Sequence, residues 1–503
     1  MKLMKRILAI VCTFVMIISM ATGVNAVDDK STTATSTPER GKITVTQAIS
    51  GEDYKIYKLL SLESYDKSSG AYSYKKPGGD WNNYIENEGQ QFFQSNNNGY
   101  ITLKTNNETE ARKLAMAAIA YAKKNSIEPT RIKTASVSKE EETTVVFDDL
   151  DLGYYVVEST SGTACAIATT DPEVTIENKH KNPYVQKKII NGGKVNDEGT
   201  QNSVNLGQVV TFQTTIYVNP GARNYVLHDK MDKNLQFQCV QDVNGNDNRK
   251  FYANKADADY IVKPDPFHKT DGPTDGCTFH VEFTPKFYEK YQKDIDEGRL
   301  TEIYVSYVAQ VTDTAPVKTA MKNTTYLTYG EKGTKSSESE TKTYTYSIPV
   351  FKYTGIDTPL ANAKFILSEV ENAAESDAIN FVSNGSFYRY STDQRKGNKT
   401  LTSGTNGRVD IEGLQEGVYF LKEIEAPKGY NKIQKSIKIE ILSDGNIKVN
   451  DAAITGDVKV ENNTGSVLPS TGGMGTTLIY VVGSILVLAS GIVLFSKRKE
   501  GTN

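Results

Sequence analysis

The chain has 503 residues, 24% of them charged, with a formal net charge of −3. That length allows roughly three domains, and the near-balanced charge leaves no basic footprint for nucleic acid. Four cysteines and four histidines are too few and too scattered for a disulfide framework or a structural zinc site, so no metal and no cofactor are expected. Tyr outnumbers Phe 29 to 17, which suits strands with one wet and one dry face.

The chain opens with Lys2, Lys5 and Arg6, an apolar run from Ile7 to Ala21, and Val24-Asn25-Ala26. A basic start, a short apolar stretch and a small-residue site predict a secretory signal peptide over residues 1–26. Ser/Thr-rich Asp28–Pro38 follows as a flexible leader. Beyond it, period-2 runs bounded by Gly, Asn, Asp and Pro predict strands, among them Val209–Val218, Ile303–Val311, Thr324–Thr328 and Ser436–Leu442. Pro interrupts strand pairing at Asn182-Pro183 and Ile348-Pro349. The expected modules are therefore 27–182, 183–347 and 348–464.

In the first module, Asn107 and Glu110 form a capping pattern ahead of Ala111, Leu114, Ala115, Ala118, Ile119 and Ala122. That spacing predicts one amphipathic helix to Lys124, packed across a sheet. In the second, Val185 and Lys187 share one face of the opening strand, Asp229 follows an apolar pair, and Asn323 begins the closing strand. Thr334–Thr341 reads as an exposed hairpin or loop. In the third, Val350 and Lys352 share a face, as do Tyr419, Leu421 and Glu423, and Val460 and Asn462. Residues 371–400 read as a polar insertion loop. Tyr419 and Leu421 belong in a core, so Glu423 points inward, where a lone charge is costly without a partner.

Residues 465–503 close the chain with Leu468-Pro469-Ser470-Thr471-Gly472, an apolar stretch from Leu478 to Phe495, and Lys497-Arg498-Lys499. The apolar stretch is long enough to span a bilayer, with the basic tail left in the cytoplasm. Cys12 falls in the signal peptide. Cys165, Cys239 and Cys277 read as ordinary core residues, with a Cys239–Cys277 disulfide as the alternative.

Leu-Pro-x-Thr-Gly, a hydrophobic helix and a basic tail in that order resemble the cell-wall sorting signal of Gram-positive bacteria. The resemblance implies a sortase that cuts between Thr471 and Gly472, holds Thr471 as a thioester and passes it to an amine. Gly417–Tyr430 resembles the Tyr-x-Leu-x-Glu-x-x-Ala-Pro-x-Gly-Tyr E-box of B-type repeats in collagen-binding adhesins and pilins. That implies a self-formed isopeptide bond between Lys352 and Asn462, assisted by Glu423. The second module resembles the A-type isopeptide fold of fimbrial shaft proteins, which implies a Lys187–Asn323 bond assisted by Asp229. Lys188 is the fallback nucleophile and Asp232 the nearby alternative acid. Gly153–Glu158 mimics the start of an E-box without its Ala-Pro-x-Gly-Tyr, and Ile43–Thr46 carries no alternating Lys, so no crosslink is expected in the first module. Val174-x-Ile176-x-x-Lys179 resembles the pilin motif Val-x-Val-Tyr-Pro-Lys, with Glu177-Asn178 in place of Tyr-Pro. It implies Lys179, or else Lys181, as the polymerising amine.

Taken whole, the chain resembles a Gram-positive major fimbrial (backbone pilin) subunit. The resemblance implies a mostly β protein of three tandem immunoglobulin-like β-sandwich modules, of A-type and B-type collagen-adhesin-like folds, with one helix in the first module and a C-terminal transmembrane helix. It implies a structural protein, not an enzyme, secreted and covalently attached to the wall. Its partners would be sortase, identical subunits, tip and base pilins, and peptidoglycan. A monomeric wall-anchored adhesin binding host matrix or glycan is the alternative.

Overall fold

The computed structural model describes residues 40–464 and 475–500, apart from 67–70, 105–106, 137–141, 163, 169–172, 178–181, 254–256, 265–271 and 385–386. The chain is mostly β and divides into two compact units. The first runs to Ser347 and takes in Tyr390–Asp393 and Glu412–Glu416; the second holds Ile348–Arg389, Gln394–Ile411 and the chain from Gly417 on.

The first unit begins with β1 (Gly41–Ile49), β2 (Asp53–Asp66), α1 (Asp80–Glu86), α2 (Glu108–Lys124), β3 (Glu142–Leu150), β4 (Gly153–Ser159) and β5 (Glu173–Glu177). β1 pairs antiparallel with β3 and parallel with β5. β2 and β4 pair in a separate seven-stranded sheet. One face of that sheet, with Tyr54, Ile56, Tyr155 and Val157, packs on Ile43, Val45, Val145 and Phe147 of the small sheet. Its other face, with Tyr57, Leu59, Tyr154 and Val156, packs on Leu114, Ala115, Ala118 and Ala122 of α2. Both faces are dry, so every residue of β4 is buried and its sequence does not alternate. α2 starts as its sequence predicts: Asn107 Oδ1 accepts from the Glu110 N–H at 3.0 Å. α1 was not expected. It places Trp81 and Tyr84 edge-on to each other in the same core.

The rest of the first unit contains β6 (Tyr184–Asn191), β7 (Val209–Tyr217), β8 (Val226–Met231), β9 (Leu235–Gly245), β10 (Phe279–Phe283), α3 (Pro285–Asp296), β11 (Glu302–Val311), β12 (Met321–Tyr329) and β13 (Ser339–Tyr344). One sheet has the order β6-β7-β11-β9 and a larger one includes β13-β12-β8-β10. They bury one core that includes Val185, Ile189, Phe212, Ile216, Leu227, Val281, Val305 and Leu327. α3 is a helix outside the first module, contrary to expectation. Thr284 caps it, Pro285 takes its first turn, and Phe287 and Ile295 anchor it. Its aromatic-rich sequence hides the helical period among residues that also suit strands. Thr334–Thr341 is not simply an exposed loop either. It holds a two-residue strand against β12 and the start of β13, where Thr341 and Thr343 are buried.

The second unit is built on β14 (Tyr346–Thr354), β15 (Lys364–Ser368), β16 (Gly417–Glu425), β17 (Ile437–Ile441) and β18 (Val458–Glu461). β15, β16 and β17 are neighbours in one six-stranded sheet, and β14 and β18 pair in parallel in the other. Residues 371–400 are more than a loop. They include strands Phe381–Asn384 and Phe387–Tyr390, with Phe381 and Tyr388 buried. A final helix, α4, spans Gly475–Glu500. Among the described residues no helix is long and apolar enough to cross a membrane. The described side chains of α4 run from Ile479 to Leu494, inside the longer apolar stretch of the sequence.

Candidate functional site

Two clusters of lysine, acid and asparagine lie where solvent does not reach. In the first unit, β6 alternates Val185, Lys187 and Ile189 inward and leaves Lys188 exposed. Lys187 is 2% exposed, and Asp229 and Asn323 are 0% exposed. Lys187 Nζ lies 2.6 Å from Asp229 Oδ2 and 2.5 Å from Asn323 Oδ1. Asp229 comes from β8 and Asn323 from β12, which pair antiparallel. β13 follows Asn323 in the same sheet, so the pair joins the opening strand to β12 and not to the last strand. Asp232 sits apart and accepts hydrogen bonds from Asn234.

Burial governs the charges here. It pulls the Lys187 ammonium down to about 8, with Asp229 opposing the shift, and it pushes the Asp229 carboxyl up, with Lys187 opposing. Both shifts favour the neutral forms, amine and acid. The Tyr307 hydroxyl donates to Asp229 Oδ2 at 2.6 Å. The rings of Tyr307 and Phe212 stand 5.6 Å and 6.0 Å from Lys187 Nζ. Asp229 Oδ1 and Asn323 Nδ2 are buried without a well-formed hydrogen bond. Sequence reasoning missed Tyr307 and Phe212. Each lies on the inward phase of a recognised strand, but only strand register shows that they face Lys187.

In the second unit, Lys352 of β14 is 0% exposed, Glu423 of β16 2% and Asn462, just after β18, 1%. β14 and β18 run parallel with Lys352 opposite Val460, and the Asn462 N–H donates to the Tyr353 carbonyl at 3.0 Å. Lys352 Nζ lies 3.3 Å from Glu423 Oε1, in ion-pair range but not aligned as a hydrogen bond. Glu423 Oε2 accepts from the Ile433 N–H at 2.7 Å and from Asn462 Nδ2 at 3.2 Å. Burial lowers the Lys352 ammonium, with Glu423 opposing. The Phe365 ring stands 5.9 Å from Nζ.

Lys179, Lys181, the signal peptide and Leu468–Gly472 lie outside the described residues. In the first module the buried carboxylate of Glu158 pairs with Lys123 at 2.5 Å, but the Lys123 side chain is 48% exposed. Cys239 and Cys277 are free thiols at half-buried positions, so neither the core reading nor the disulfide describes them. The Cys165 side chain lies outside the described set.

The family profile described as "SpaA: Prealbumin-like fold domain" matches residues 348–453, and the LPXTG cell wall anchor motif matches residues 460–501. None of the curated proteins compared with the chain matches it. Among solved structures, the T6 backbone pilin of Streptococcus pyogenes is 15% identical over 86% of this chain and 94% of its own, with a TM-score of 0.46. The full-length major pilin SpaD of Corynebacterium diphtheriae is 17% identical over 84% and 97%, with a TM-score of 0.42. The RrgB pilus protein of Streptococcus pneumoniae is 12% identical over 86% and 99%, with a TM-score of 0.44. The chain thus carries a SpaA-type prealbumin-like domain followed by an LPXTG anchor, the mark of a secreted protein attached to the Gram-positive cell wall.

Proposed function

We propose that the protein is the shaft subunit of a covalently polymerised surface pilus, built of the modules 27–182, 183–347 and 348–464. The observation that carries this reading is the pair of buried lysine–acid–asparagine triads upstream of the anchor. A buried lysine and carboxylate that merely paired would be a poor source of stability. Placed against an asparagine, they form a reaction centre. In the first triad the Lys187 proton passes to Asp229, and the neutral Nζ attacks Cγ of Asn323 while the acid's proton polarises the carboxamide. The Nζ–Cγ bond forms, Asp229 gives its proton to Nδ2, the Cγ–Nδ2 bond breaks and ammonia leaves, and Nζ sheds its remaining extra proton to the freed Asp229 carboxylate. Glu423 serves Lys352 and Asn462 in the same way. Tension along the chain then runs through amide bonds between strands instead of through ladder hydrogen bonds.

The C-terminal apolar helix would hold the precursor in the membrane with its basic tail inside. Sortase would cut after Thr471 and pass the acyl group to Lys179, with Lys181 as the alternative, on the next subunit. That contact is heterologous and does not close, so it propagates a filament. Peptidoglycan supplies the terminating amine, and tip and base pilins would complete the fibre. The test is mass spectrometry of cell-wall extracts for a branched peptide joining Thr471 to a lysine, with Lys179→Ala and Lys181→Ala strains alongside. A high-mass ladder that persists in the double variant overturns the assigned lysines. Monomers alone in the wild type favour the wall-anchored adhesin.

A further inference from the structure

We propose that His228, Asp275, Cys277 and His280 form a binding site for a zinc-class divalent metal ion on the outer face of the sheet that carries Asp229 and Asn323. One ligand atom from each residue lies within 4.8 Å of all the others. β-Pairing assembles them. β10, β8 and β12 are neighbours, with His280 opposite His228 and His228 opposite Tyr326. The His228 ring packs edge-on against His280 and stacks on Tyr326. Asp275 and Cys277 come from the segment leading into β10. His228 precedes Asp229 on one strand, so the two side chains project to opposite faces: the acid into the triad, the imidazole outward.

The polar contacts already converge on one point. Asp275 Oδ2 lies 2.8 Å from His228 Nδ1 and 3.0 Å from His280 Nε2. Asp275 Oδ1 accepts from the Cys277 N–H at 3.0 Å, which fixes the carboxylate. Cys277 Sγ is 3.6 Å from the Tyr326 hydroxyl, which lies 3.3 Å from Asp275 Oδ2. His228 Nε2 is 2.9 Å from Thr328 Oγ1, so the outer nitrogen is held and Nδ1 is aimed inward, as metal-binding imidazoles require. The His228 and His280 side chains are 11% and 12% exposed and that of Asp275 is 33% exposed, which leaves a way in from solvent on the carboxylate side.

Two imidazole nitrogens, a sulfur and one carboxylate oxygen suit zinc, whereas calcium and magnesium take oxygen sets. Metal–ligand lengths of about 2.0–2.3 Å place tetrahedral ligand atoms about 3.3–3.8 Å apart, so the present spacing needs shifts of under about 1 Å. Binding expels the Cys277 proton and ties β8 to β10 and the segment before it. β8 carries Asp229 on its other face, and its neighbour β12 carries Asn323.

The test uses the whole purified chain, stripped of metal and titrated with cobalt(II). One equivalent should bind, with the visible bands of a tetrahedral site and a near-ultraviolet thiolate-to-cobalt band, and zinc should displace it. Cys277→Ser should abolish the thiolate band, and Thr328→Val should weaken binding about 10–100-fold without altering the intact-mass signature of the triads. No saturable cobalt binding in the wild type overturns the site, as does a thiolate band that survives Cys277→Ser.

Discussion

Replacing Asp229 with Ala removes the proton acceptor of the first triad and the group to which the Tyr307 hydroxyl donates. The Lys187–Asn323 bond should then fail to form. The two residues are 136 positions apart, and closing a loop of that length is worth about 5 kcal/mol in the chain-entropy model. The variant also leaves Lys187 buried beside no carboxylate, a further cost of about 3–5 kcal/mol. Together these rival the whole stability of an ordinary domain, about 5–15 kcal/mol. Lys187→Met separates the two contributions, because it prevents the bond and removes the buried ammonium, leaving an Asp229 carboxyl that burial pushes toward its neutral form and that Tyr307 still hydrogen-bonds. At about 2–4 °C per kcal/mol, Lys187→Met should lower the Tm of this part of the chain by roughly 10–20 °C, and Asp229→Ala should lower it further. Intact mass is the primary assay. The wild type should weigh two ammonia molecules less than its sequence, and each variant only one. A wild type at full sequence mass refutes the reasoning, as does an Asp229→Ala chain with the wild-type deficit. If Lys187→Met melted at or below Asp229→Ala, the buried-charge contribution would be wrong.

Asn323→Ala keeps Lys187 free but buried, so its stability should depend on pH. Burial pulls the folded amine down to about 8 from the unfolded value of 10.5; between those values the unfolded state binds more protons. Stability should therefore rise with pH across that window, by up to about 3 kcal/mol, and be flat just below it; denaturant midpoints that fall from pH 8 to 10 would contradict this. Glu423→Ala should leave Lys352 and Asn462 unjoined, remove one ammonia from the deficit and cost at least about 4.7 kcal/mol for a loop near 100 residues. An unchanged mass deficit there would separate Glu423 from the chemistry. Thr284→Ala removes the cap of α3, whose hydroxyl accepts from the Phe287 N–H at 3.4 Å and donates to the Ala258 carbonyl at 2.5 Å. It should cost about 1 kcal/mol, read as a lower guanidinium midpoint with an unchanged slope.

Much of both triads was legible because Lys187, Lys352, Glu423 and Asn462 fall on, or just past, strands that alternate with a period of two. Val185 and Ile189 bracket Lys187, Tyr419 and Leu421 lead to Glu423, and Val460 leads to Asn462. A charged residue in phase with apolar neighbours must be buried, and a buried charge must have partners. The helix at Glu108–Lys124 was legible for the same kind of reason, a local cap and a local period. Segments judged by composition fared less well. Thr341 and Thr343 are polar by type, yet their β-branched side chains pack inside the sheet, and Phe381 and Tyr388 lie within an otherwise polar stretch.

The wall anchor, strand content and the identities of the buried lysines, acids and asparagines were all present in the one-dimensional order, because a sorting motif and alternation are local properties of a chain. What surrounds those groups was not. Tyr307 meets Asp229 across 78 positions, and His228 meets Asp275 across 47. Such meetings depend on strand register and sheet order, which arise from the packing of whole sheets and leave no period in the sequence. The shortage of cysteines read at the outset thus has two proposed answers: the amide staples proposed for the two triads, whose members the alternation foreshadowed, and a histidine–cysteine–aspartate cluster that exists only once β8 has paired with β10.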